Sequence, residues 1–302
     1  MTPLKPLLYF SLFRYPLTEE EIFDFSETTS KEQIKTELDE LVRNKVIFYI
    51  DGFYLCENDE TLIKRRLSGN KMAQDIYKKA NKVSKFISKF PYVEGVGISG
   101  SLSKGYYDED GDIDFFIITS PNRLWVARTF LILYKKLFLL NSKKYFCVNY
   151  FISTNSLEIE EKNRFTATEL VTLMPMYGNG SFHDFYKQNT WVHSFLPNKS
   201  ISEGLINMNT AKKPLLTRLT EKILNTKLGE KLDTLFLKIT YKKWKMKFNK
   251  LEERHFNIAL KSTKNISKHH PLNFQKQVIE RLNIKYDEYR ENHNIHLAKE
   301  HA

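Results

Sequence analysis

The sequence predicts an α+β fold: a mixed sheet with flanking helices in the middle of the chain, a unit of three helices and a hairpin before it, and a helical segment after it. Three observations carry this prediction. Apolar residues repeat at spacings of three and four over residues 30–44, 60–89 and 211–292. Between them the pattern changes to short apolar runs, Val93 to Ser99, Ile113 to Thr119 and Tyr145 to Ser153, bracketing a turn rich in Gly, Ser and Asp. The resulting order of strand, Gly-rich turn, strand, helix, strand indicates mixed α/β layering rather than a helix bundle.

The elements follow in order. Leu4 to Phe13 is an apolar helix candidate stopped by Pro16, and Thr18 followed by Glu19, Glu20 and Glu21 is an N-cap with acidic residues in the first turn, which suits the positive helix end. Ser30 opens a longer helix, Lys31 to Asn44, carrying Ile34, Leu38 and Leu41 on one face. Two apolar runs then flank Asp51-Gly52, a hairpin signal. Residues 60–89 read as one helix or two, with Met72, Ile76, Ala80, Val83 and Ile87 on one stripe and the lysines mostly off it. Arg123 to Leu140 and Arg164 to Met174 are helical, and residues 211–292 show helical periodicity with almost no strand signal. The chain thus divides into residues 1–58, 59–180 and 181–302.

At 302 residues and 35.8 kDa, with 41% apolar and 27% charged residues, the composition is that of a globular chain with a sizeable core. No membrane partner is expected, because the most apolar stretch, Leu124 to Leu140, is broken by Arg128, Lys135 and Lys136, whereas a span needs about 20 nearly uncharged residues. The N-terminus lacks an export pattern, and Cys56 and Cys147 lie too far apart in sequence for a zinc knuckle or disulfide framework. A reducing cytoplasm is the expected compartment.

The net charge of +11 invites a nucleic-acid reading, so its distribution matters. It is −7 over residues 1–60, +8 over 61–90, −1 over 91–160, 0 over 161–210, +9 over 211–250 and +2 over 251–302. Three helices and a hairpin over residues 1–58 resemble a winged helix-turn-helix. Its third helix carries Glu32, Glu37, Asp39 and Glu40, a surface that repels phosphates, so DNA binding through it is disfavoured. RNA is a candidate partner only through the two basic helical segments, 61–90 and 211–250, if they share a face.

The chemistry concentrates between Ile98 and Ile118. A strand ends at Gly100-Ser101, a small-residue turn containing Ser103, Lys104 and Gly105 follows, and the next strand opens with Asp112 and Asp114. Alternation along a strand sends these two carboxylates to one face, where their repulsion is relieved by a hard cation such as Mg²⁺ or Mn²⁺. Gly100 and Gly105 allow close approach of the backbone to a ligand, and the hydroxyls of Ser101 and Ser103 with the turn N–H groups can hold phosphate oxygens. Together these parts describe a metal–nucleotide site.

At Gly100, Ser101, Gly105, Asp112 and Asp114 the chain resembles the DNA polymerase beta-like nucleotidyltransferase superfamily, over about residues 75–155. The resemblance implies that the Gly-Ser turn holds an NTP triphosphate and the two aspartates hold metal ions. It implies transfer of a nucleoside monophosphate to a hydroxyl acceptor, with release of pyrophosphate. Lys104 would offset phosphate charge, and a small-molecule or protein acceptor is favoured over RNA. In the family a third carboxylate sits on a later strand; here that strand, Phe146 to Ile152, carries Asn149 instead. An amide oxygen can ligate a metal but cannot act as a base. The alternative reading is therefore a nucleotide-binding regulator or a degenerate enzyme with a winged helix.

Weaker candidates have bland readings beside them. Arg123 and Arg128 are phosphate clamps or structural ion-pair partners, and Glu169 is a third ligand or, preferably, a helix-cap partner. Lys268-His269-His270-Pro271 is read as a helix end before proline, and Trp125, Trp191 and Trp244 as core or interface aromatics.

Overall fold

A computed structural model describes residues 3–178, 180–199 and 212–301. Helices α1 (Leu4–Ser11), α2 (Glu19–Asp24) and α3 (Lys31–Arg43) lead into a hairpin of β1 (Phe48–Ile50) and β2 (Phe53–Leu55). Thr18 and Glu21 form a reciprocal capping box at α2, and the Ser30 hydroxyl accepts from Gln33 N at α3. The hairpin turns through Asp51 and Gly52, both at positive φ, the conformation that makes Asp-Gly a turn signal.

Residues 60–89 form a single helix, α4 (Thr61–Ile87). Ala73, Ala80 and Ile87 are buried on its inner face, while Lys78, Lys79, Lys82 and Lys85 are exposed. There follow β3 (Val93–Ser99), β4 (Asp114–Thr119), α5 (Leu124–Phe138), β5 (Cys147–Ser153), α6 (Arg164–Val171), β6 (Met174–Gly178) and α7 (Ser181–Gln188). Beyond these lie α8 (Leu215–Leu224), α9 (Lys227–Lys247), α10 (Glu253–Ala259), β7 (Ile266–Lys268) and α11 (Phe274–His293). Among the described residues no helix is long and apolar enough to cross a membrane.

The central sheet has the order β6-β3-β4-β5-β7, mixed because β4 and β5 are parallel and the other neighbours antiparallel. One face packs Phe115, Ile117 and Phe151 against α4 and α5. The other packs Phe116, Ile118 and Ile152 into a core that is continuous with α1–α3, α6, α7 and α11. Alternation along β4 therefore sends Asp114 to this second face.

Two strands depart from the sequence reading. Residues 164–174 are not one helix, because α6 stops at Val171 and Met174 opens β6, which pairs with β3. The C-terminal segment is not purely helical, since Ile266–Lys268 pairs with β5 as an edge strand. Three residues are too few to show a period of two, and the pairing partner lies more than a hundred residues away, so nothing local announces β7.

The C-terminal helices are tied on through helix ends. Asp233 of α9, 2% exposed, accepts from Trp125 N at 2.8 Å and Val126 N at 3.0 Å, capping the positive end of α5. In return Arg123 donates to Leu224 O at 3.1 Å and Thr226 O at 3.2 Å, satisfying the last carbonyl of α8 and that of the residue before α9.

Candidate functional site

The β3 strand leaves the sheet through Gly100, whose φ is +72°. A Cβ there would meet Asp114 Oδ2 at 2.7 Å, so glycine is required both by the backbone and by the carboxylate beside it. Ser101 begins a single 3₁₀ turn, Leu102–Lys104, closed by Gly105 at φ +74°. Ser101 is exposed and its hydroxyl makes no hydrogen bond among the described residues, which leaves it available to a ligand. The hydroxyl of Ser103 is not available in the same way, because it donates to Gly100 O at 2.9 Å. Gly105 lies away from the carboxylates: its carbonyl accepts from Asn70 Nδ2 at 2.6 Å, so its freedom serves the turn rather than close approach to a ligand.

Asp114 opposes Ser99 on β3 and Cys147 on β5. Its carboxyl is pushed up to about 6, first by burial and then by the charges of Asp112 and Glu169; hydrogen bonds from the Cys147 thiol and Asn149 oppose the shift. Burial and the adjacent Asp114 carboxylate in turn push the Cys147 thiol well above its ordinary value, so it serves as a hydrogen-bond donor and not as a nucleophile. Asn149 occupies a break in the register between β4 and β5, which re-aims its side chain, and Asn149 Nδ2 donates to Asp114 Oδ1 at 2.9 Å.

Lys104 and Glu169 are joined by an ion pair of 2.7 Å, and Lys104 also donates to Gly100 O at 3.0 Å. Glu169 is therefore not a helix-cap partner; Asn163 caps α6 by accepting from Thr166 N, and Glu169 faces the turn from the next turn of the helix. Arg123 is not a phosphate clamp, since its donors end on backbone carbonyls. Lys268-His269-His270 is not a helix end either: Lys268 closes β7, His269 N donates to Asn149 O at 2.9 Å, and burial pushes His269 down to about 3 and His270 to about 4, so both are neutral.

The turn, Asp112, Asp114, Asn149 and Glu169 all line one cleft of about 1350 Å³. Sequence reasoning missed much of its wall. Phe10, Phe13 and Tyr15 from the N-terminal unit reach it with Arg65, Tyr106, Phe165 and Phe274, and Tyr15 meets Tyr106 edge-on at 5.8 Å. Arg128 and lysines of α5 and α9 line it as well. No spacing rule links residue 10 to residue 274, so no local signal could have found this wall. Among the described residues no group of three His, Cys, Asp or Glu side chains is placed to hold a metal ion.

Residues 80–171 match the family model described as a nucleotidyltransferase domain. The chain carries a nucleotidyltransferase domain of the DNA polymerase beta-like superfamily. No curated protein and no solved structure matches the chain. The nucleotidyltransferase domain runs from Ala80 within α4 to the last residue of α6, so it contains the Gly100-Ser101 turn, both aspartates, Asn149 and Glu169. Its match supports nucleoside monophosphate transfer as the general chemistry. Of the aromatic wall, Tyr106 and Phe165 belong to the matched residues, whereas Phe10, Phe13, Tyr15 and Phe274 lie outside them, as do the lysines of α9.

Proposed function

We propose that this protein transfers a nucleoside monophosphate from an NTP to a hydroxyl acceptor in the cleft around Asp112 and Asp114. The observation that carries the reading is the pairing of a ligand-ready turn with crowded carboxylates. Gly100 brings the backbone against Asp114, Ser101 presents a free hydroxyl, and Asp114 is strained by burial and by two neighbouring acids.

That crowding fits a divalent cation. Asp112 and Asp114 supply the hard oxygen donors that Mg²⁺ or Mn²⁺ prefers, and Asn149 can turn its amide oxygen toward the same point. When bound, such a cation supplies neutralisation of phosphate charge during in-line displacement. The chain's own groups do the rest. The turn and Ser101 orient the triphosphate, and the Lys104–Glu169 pair holds the turn against α6. Phe13 and Tyr15, both partly exposed in the cleft, offer flat faces to a nucleobase.

The acidic N-terminal unit acts in this reading as a packing module. It shares a continuous core with α6, α7 and α11, and Arg66, 7% exposed, ties α4 to it through Glu21 at 2.7 Å and the Pro16 carbonyl.

A nucleotide-binding regulator is the second reading, favoured by the amide at Asn149, which donates to Asp114 where a base would accept. Incubation with labelled NTPs and Mg²⁺ separates the two. Pyrophosphate release that disappears in Asp112→Ala and Asp114→Ala is the expected result. Metal-dependent nucleotide binding without turnover, over a panel of sugar, aminoglycoside, protein and RNA acceptors, overturns catalysis.

A further inference from the structure

The cleft has a cationic wall that the turn and the carboxylates do not use. Arg128, Lys135 and Lys136 of α5 and Lys243 and Lys247 of α9 line it, together with Lys143 from the loop before β5. None of these six pairs with a carboxylate among the described residues, although ion pairs are formed elsewhere on the chain.

Two of the six are deeply placed. Arg128 is 9% exposed and Lys135 8%, and neither side chain makes a hydrogen bond among the described residues. The Arg128 guanidinium lies 4.9 Å from the Trp244 ring and 5.5 Å from the Trp125 ring, which fixes its plane and leaves its N–H fork for a ligand. Lys136 is crowded chiefly by Lys243, and its pKa is lowered accordingly. Buried or crowded cations without counter-charge are costly, and an incoming anion removes that cost.

We propose that this wall binds a phosphate group carried by the acceptor, so that the acceptor is a phosphorylated small molecule; the assignment to the acceptor rests on the transfer reading above. The sheet order separates this site from the NTP. The Gly100-Ser101 turn leaves from β3, on one side of Asp114, whereas α5, which carries half of the wall, packs against β5 and β7 on the other, with Lys135 in electrostatic reach of both Cys147 and Asp112. Two sources could supply the phosphate, the NTP itself or the acceptor, and the sheet order favours the acceptor. A small molecule is favoured over RNA because two of the six cations, Arg128 and Lys135, are recessed in the cleft beneath the four exposed lysines, whereas a polynucleotide is tracked by exposed charges alone.

The test is calorimetric titration of the full chain, without divalent cation, using inorganic phosphate and then glycerol 3-phosphate against glycerol. Phosphate and glycerol 3-phosphate should bind, glycerol should not, and the exposed double variant Lys136→Gln/Lys243→Gln should weaken binding at least tenfold. Arg128→Met should do the same, with circular dichroism confirming its fold, while Ser101→Ala should leave phosphate affinity unchanged. No phosphate binding by the wild type overturns the proposal. So does binding that Ser101→Ala weakens and the double lysine variant does not, which returns the anion to the NTP. Tighter binding of a single-stranded RNA of about 12 nucleotides, with a steep salt dependence, replaces the small acceptor by a polynucleotide. Pyrophosphate release is measured separately, so a chain that binds phosphate at this wall but never releases pyrophosphate refutes transfer and not the anion site.

Discussion

Replacing Asp114 by Asn should stabilise the protein while abolishing transfer. The Asp114 carboxyl stands at about 6 against an ordinary 3.8, so its ionisation at neutral pH opposes folding by about 3 kcal/mol at 1.36 kcal/mol per unit. Asp114 is only half-buried by exposed area, and solvent screening reduces that figure. The amide also forfeits part of the hydrogen bonds from Asn149 and Cys147, a loss of about 1 kcal/mol. A net gain of about 1–2 kcal/mol remains, which for a chain of this size corresponds to a rise in Tm of about 2–3 °C. The sign depends on pH. A carboxyl whose folded pKa exceeds its unfolded value makes stability fall as pH rises from about 4 to about 6, so the advantage of Asp114→Asn should be present at pH 7.5 and absent below about pH 4. Thermal unfolding of both proteins with EDTA, at several pH values, reads this directly. Adding Mg²⁺ should raise the Tm of the wild type and narrow the gap. A variant no more stable at neutral pH, or equally advantaged at acid pH, refutes the account of Asp114 as a crowded carboxylate.

Other outcomes follow from the same geometry. Asn149→Asp places a third carboxylate beside Asp114; it should lower stability in EDTA by about 1–2 kcal/mol through like-charge repulsion, and raise the pyrophosphate release rate at least tenfold with Mg²⁺, by steady-state assay. An unchanged rate shows that position 149 does not limit turnover. Asp233→Ala removes the buried acceptor for Trp125 N and Val126 N and should cost about 1–2 kcal/mol in denaturant unfolding, with α9 loosened from α5 in hydrogen exchange.

Strands β3 and β4, the caps at Thr18 and Ser30, and the Asp51-Gly52 hairpin were legible because each is a local event. A cap is a hydrogen bond across three residues, and a strand announces itself by the sides to which its neighbours point. The candidate turn was legible for the same reason: Gly100 to Asp114 spans fifteen consecutive positions with both partners on adjacent strands. Helix α6 was overextended because Leu170, Val171, Leu173 and Met174 form an apolar run that serves a helix and a buried strand equally well. Glu169 was misassigned because its partner, Lys104, is distant in sequence, and no spacing distinguishes a cap from a cross-fold ion pair.

From the residue pattern alone one obtains the layering, the Gly100-Ser101 turn, Asp114 at the start of its strand and the amide at Asn149; Asp112, expected on the same strand face, instead lies two residues before β4. The folded chain adds what surrounds them. It brings aromatic residues of the first fifteen and cations of α5 and α9, unpaired among the described residues, to the wall of one cleft, and it carries β7 back to the sheet beside Asn149. The physical reason is range. Backbone dihedrals and hydrogen bonds to near neighbours are written in short spacings, whereas the composition of a cleft depends on which apolar faces bury one another across the whole chain.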